Sequence, residues 1–160
     1  MVAVFELRYD APEDTPYALQ RYGDELPNLL YVLELAKTRG ENDGIVTIAL
    51  TIVRSLIRYF FVLGLTEQGF SVMHEAAELA LQTQHLDEVS ALALQATSLA
   101  NRVGDKALIA SALNLIDRVE ESAKDADSRA DIAMCHALAA SEANDFQSAE
   151  KFARQAFEGY

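Results

Sequence analysis

Apolar residues recur at intervals of three and four along most of this chain, the period of one helix face. Leu26, Leu29, Leu30, Leu33 and Ala36 show it between Asp24 and Arg39. The pattern predicts helices over about 24–39, 45–63, 66–83, 87–103, 105–123, 128–143 and 145–158. A short helix precedes them, starting at Thr15-Pro16 with proline at the first helical position and stopping at Gly23. Pro27 falls in a first turn, where its missing donor is not needed. Thr66, Asp87, Asp105 and Asp145 are expected as N-caps, and Ser128 with Asp131 has the spacing of a capping box. The run from Gly40 to Gly44 predicts a turn. Residues 1–14 alternate weakly through Val2, Val4 and Tyr9, as a short strand would, and equally suit an irregular segment covering the first helices.

The stops between these segments are periodic. Gly64-Leu65, Gly104-Asp105 and Asn144-Asp145 stand about forty residues apart, and Gly23-Asp24 falls one residue off that register. A fixed period predicts a solenoid, which works by presenting a surface. Helices 45–63, 87–103 and 128–143 become the first (A) members of hairpins, and 66–83, 105–123 and 145–158 the second (B) members. Short connections make successive helices antiparallel neighbours within one domain spanning 1–160.

The last hairpin carries Ala137 and Ala140, then Asn144-Asp145-Phe146, then Ala149, Ala153, Ala156 and Phe157. Small residues on both helices around an Asn-Asp-aromatic turn resemble a tetratricopeptide repeat. Gly69, Met73 and Ala76, and then Ile109, Leu113 and Ile116, hold the matching B positions earlier. The period exceeds the tetratricopeptide value of about 34. A second resemblance covers residues 24–80, through Asp24-Glu25-Leu26-Pro27-Asn28-Leu29-Leu30, Tyr59-Phe60-Phe61, Gly64 and Glu67-Gln68-Gly69. These residues look like the helical arm of bacterial signal-transduction ATPases and transcription regulators. The resemblances imply an all-α fold, a right-handed superhelix of about three and a half hairpins, serving regulation or scaffolding as an interaction module. Nucleotide- and DNA-binding parts would lie elsewhere, since the chain has no Gly-x-x-x-x-Gly-Lys-Ser/Thr motif.

Composition narrows the partners. Of 160 residues, 51% are hydrophobic, and the formal charge is -12, which disfavours phosphate backbones and anionic membranes. Residues 44–74 stand apart, with Arg54 and Arg58 against Glu67 alone. Ile45 to Leu63 has the length of a membrane span, but both arginines sit in its middle, so a buried helix of a soluble protein is expected. One cysteine and an N-terminus broken by Glu6, Arg8 and Asp10 predict a cytoplasmic protein without a signal peptide.

Catalytic chemistry finds little support. His74, His85 and His136 have no second ligand at helical spacing, and Cys135-His136 are adjacent, pointing about 100° apart on a helix. Glu120-Glu121 and Asp125-Asp127 fit a solvated helix end. A non-enzymatic chain without metal or cofactor is expected. The sharper candidates come from the register. Arg54 and Arg58, with Leu94 and Ser98, Met134 and Leu138, and Phe61, Asn101 and Ser141 nearer the hairpin tips, fall on the A-helix face lining the concave groove. The arginines lie one turn apart and would either grip a carboxylate or phosphate or pair with nearby acids. The expected partner is a protein or peptide in that groove, with a small anionic ligand as the alternative. Ala149, Phe152, Ala153, Ala156 and Phe157 would leave an apolar stripe on the C-terminal helix, open to homodimerisation.

Overall fold

The computed structural model describes residues 15–40, 43–123 and 125–159; the expectations for residues 1–14 lie outside them. The elements are α1 (Thr15–Thr38), α2 (Asp43–Ser55), α3 (Ile57–Leu63), α4 (Thr66–Gln82), α5 (Leu86–Val103), α6 (Lys106–Asp117), a 3₁₀ turn (Glu120–Ser122), α7 (Ala126–Glu142) and α8 (Phe146–Gly159). The described residues are all-helical and contain no strand.

Four backbone positions with positive φ set the frame: Gly64 (69°), Gln84 (64°), Gly104 (73°) and Asn144 (61°). After each, the next amide bonds to the carbonyl five residues back: Leu65 to Phe60 (3.0 Å), His85 to Ala80 (2.8 Å), Asp105 to Ala100 (3.3 Å) and Asp145 to Ala140 (2.9 Å). This is the Schellman closure, which satisfies carbonyls left over at a helix end. The positions fall at intervals of twenty, twenty and forty residues. One helix with its turn is therefore a twenty-residue unit, and a hairpin is two.

Helix starts follow from different chemistry. Asp105 accepts from the amides of Ala107 (2.8 Å) and Leu108 (3.2 Å), and Asp145 from Ser148 (3.2 Å), as the sequence predicts. The cap of α7 is Asp125, accepting from Ser128 at 2.7 Å, while Ser128 itself is buried inside the helix. Leu65 and His85, neither making a side-chain cap bond, precede α4 and α5, so Thr66 and Asp87 lie within first turns.

Three other expectations are corrected. Gly23 does not end a helix, because α1 runs through it and carries Pro27 in its interior. Buried Tyr22 packs on Tyr59 at 6.2 Å between ring centroids, which holds this stretch in helix. The carbonyl that Pro27 leaves without a partner belongs to Gly23, four residues back on a helix where Pro27 itself is exposed. The 40–44 turn is shorter than expected, since Asp43 and Gly44 already belong to α2. The helix over 45–63 is interrupted at Leu56, whose amide bonds to Val53 three residues back, beside a Ser55 hydroxyl donating to Ile52 at 2.6 Å. The stretch Asp43–Leu63 has the length and hydropathy of a membrane span. Its Leu50, Val53, Leu56 and Phe60 are fully buried in the protein core.

Lateral packing repeats with the same period. Lys37–Glu75, Thr47–His85, Arg54–Glu88, His74–Ser111 and Glu78–Arg118 join helices across 34 to 40 residues of sequence. Helix α1 and the B helices α4 and α6 are thereby linked side by side, as are the A helices α2 and α5. The α4–α5 contact is among the most extensive, and Ala76, Ala77, Ala80, Ala93, Ala96 and Ala100 along it are wholly buried. Small side chains let these backbones approach closely.

Two expected outcomes follow. A Cβ at Gly69 would stand 2.7 Å from Cβ of buried Phe60 and 3.0 Å from Cδ1 of Leu99. The first neighbour is anchored near backbone, so the clash outweighs alanine's helix preference, and Gly69→Ala should destabilise by about 1–3 kcal/mol in urea unfolding. Gln84→Gly relieves an L-residue held at φ 64° and should stabilise by about 0.5–1 kcal/mol, read as a higher melting temperature.

Candidate functional site

The A helices α2–α3, α5 and α7 stand side by side, because α5 packs on α2 and extensively on α7. On α5 the buried arc includes Val89, Leu92, Ala93, Ala96 and Leu99, which leaves Leu94, Ser98 and Asn101 half-buried on another face. Forty residues on, Met134 and Leu138 are half-buried and Ser141 is exposed on α7. These six apolar and small polar candidates thus form accessible stripes at matching register. Thr97 of α5 lies against Cys135 of α7 between the two stripes.

The polar chemistry of this face is mostly committed between hairpins. Arg54 Nη1 donates to both carboxylate oxygens of Glu88, at 3.0 and 3.2 Å, tying α2 to α5. The Arg102 guanidinium lies 5.5 Å from the centroid of the Phe61 ring, tying α5 to α3. Arg58 is half-buried on α3. For Arg54 the pairing reading holds: it and Glu88 are partly exposed, and such pairs contribute about 0.2–1 kcal/mol. The Ser98 hydroxyl donates to the Leu94 carbonyl at 2.8 Å, whereas the Asn101 amide has no side-chain partner among the described residues.

Neither of two open depressions of about 470 Å³ is lined by Arg54 or Arg58. One lies between α4 and α6, with Glu67, Phe70, His74 and Asp105 among its walls. The other lies along α7 and α8 near the 3₁₀ turn, lined by Glu120, Arg129, His136, Phe152, Gln155 and Glu158. There the His136 ring stacks on Phe152 at 5.1 Å, with Nε2 3.8 Å from Glu120 Oε1. Register explains the opening. Glu120 and His136 fall where the α4–α5 contact has Ala80 and Ala96, so bulkier polar groups replace the small ones that close it.

His85 joins three elements, with Nδ1 3.0 Å from the Thr83 hydroxyl and Nε2 3.1 Å from Asp43 Oδ1. No group of three or more histidine, cysteine or acidic side chains could hold a metal among the described residues. Sequence reasoning did not identify Glu88, Arg102 or Phe152 as partners. A forty-residue register offers a signal only for Phe61 and Arg102, nearly one period apart. Comparison with family models, with curated proteins and with solved structures returned no match.

Cys135 is a test of this packing. Burial pushes its thiol up to about 12, partly offset by the hydrogen bond with Thr97. The native protein should therefore leave a thiol-specific chromogenic reagent unreacted at pH 8 for hours, and titrate one thiol once unfolded. Fast labelling of the native state would contradict a closed α5–α7 contact.

Proposed function

We propose that this chain is a protein-interaction module, a cytoplasmic solenoid of the tetratricopeptide kind serving bacterial regulation or scaffolding. Its helical hairpins wind as a right-handed superhelix with the A helices on the concave side. A peptide or partner helix lies across that side, and no bond is made or broken. The observation that carries this reading is the matched pair of accessible stripes, Leu94–Ser98–Asn101 on α5 and Met134–Leu138–Ser141 on α7.

The binding step has a definite physical form. Leu94, Met134 and Leu138 supply apolar contact, and the Asn101 amide has two donors and an acceptor for a peptide backbone. Arg54 contributes only by exchanging Glu88 for a partner carboxylate, a near-neutral swap that adds selectivity more than affinity. A small anion would need that same release of Glu88 without the compensating apolar contact, which favours a peptide over the sensor alternative.

Selection of binders from a displayed peptide library tests this. Binders should lose at least about tenfold in affinity against Leu94→Glu and Leu138→Glu, and less against Arg54→Ala. Helix content checked by circular dichroism keeps folding separate from binding. Peptides indifferent to both leucines would sink the reading. Thermal stabilisation by organic acids that disappears in Arg54→Ala/Arg58→Ala would support the sensor instead.

A further inference from the structure

Helix α8 exposes two large aromatic residues, Phe146 (68%) and Phe157 (76%). The expected apolar stripe is partly used inside the protein: Ala156 is buried and Phe152 stacks on His136 of α7. The open flank overlaps that stripe only at half-buried Ala153 and exposed Phe157 and adds exposed Phe146 and Glu150, spaced four, three and four apart in chain order and hence on one face. Eighty residues earlier the same register positions include Phe70, Met73 and Ala77 of α4, buried in a helix that packs extensively on α5. Forty residues earlier they include Lys106 and Asp117 of α6, which are exposed and charged. On α6 charge stands at both ends of this flank, with exposed Ala110 and half-buried Leu113 between them, whereas on α8 both ends are exposed phenylalanines.

We propose that a second copy of this chain covers the flank, with the two α8 helices antiparallel about a two-fold axis near Phe152. Two observations choose a second copy over a foreign helix. First, the seam is complementary to its own reverse. Antiparallel pairing centred there brings Phe146 of each copy beside the partner's Phe157, and sets Glu150 opposite the partner's Arg154. Each contact then occurs twice, as an isologous interface requires. Within one chain Arg154 already bonds Glu150 at 2.6 Å, so pairing extends that contact to a four-charge cluster. Second, α8 is neutral, with Lys151 and Arg154 against Glu150 and Glu158, on a chain carrying -12. Two acidic chains therefore meet on that helix without net like charge between the paired segments.

Sedimentation equilibrium and light scattering on the full chain decide the matter. The wild type should approach twice its 17.6 kDa as concentration rises. Phe157→Glu should weaken association at least about tenfold while leaving helix content unchanged, since the side chain is outside the core. Glu150→Arg should weaken it by setting like charges opposite each other, and the double variant Glu150→Arg/Arg154→Glu should restore it. A wild type that stays monomeric up to about 0.5 mM overturns the proposal and leaves the flank to a foreign helix. A dimer indifferent to Phe157→Glu, or a double variant without rescue, also overturns it. The peptide-library test above reads a different helix face, so either result stands without the other.

Discussion

A backbone residue held at positive φ at multiples of twenty positions is the constraint on which this architecture depends. At Gly64, Gln84, Gly104 and Asn144 the same reversal closes a helix through the same bond to a carbonyl five residues back. Between Gly64 and Gly104 the reversals are evenly spaced, so α4 and α5 have nearly equal length, 17 and 18 residues. The shared register in turn allows residues one hairpin apart to meet, as Lys37 meets Glu75 and Arg118 meets Glu78. The close alanine packing of α4 on α5 depends on that register too, since a small offset would set large side chains opposite one another.

The stack is not uniform. Its centre is sealed by alanines, whereas an open depression lined by Glu120 and His136 lies beside the last hairpin. The A-helix face is likewise graded. Near α2 its charges are spent on inter-hairpin contacts, with Glu88 holding Arg54 and Phe61 holding Arg102. Toward α7 it is accessible and mostly apolar or small polar.

Much of the helical plan is legible in the sequence, because helix periodicity and glycine at a helix end are local signals. Gly64, Gly104 and Asn144 announce their turns by residue type. Gln84 does not, since glutamine has no preference for positive φ and is held there by the helices on either side. Gly23 misleads for the complementary reason: its flexibility permits a turn, but Tyr22 packing on Tyr59 decides for helix. The candidate site is legible to a lesser degree. Register places Leu94 and Met134 on accessible stripes, but the Arg54–Glu88 pair needs side-chain reach across 34 residues, which no local pattern encodes.

The even frame also governs how such a chain tolerates change in its length. Adding one residue inside a helix rotates everything beyond it by about 100° and moves it about 1.5 Å, which takes every later side chain out of its seat. Adding or removing a whole hairpin of about forty residues returns each later residue to an equivalent neighbour. A change of about forty residues is thus the one that keeps later helix ends in the register set by Gly64, Gly104 and Asn144.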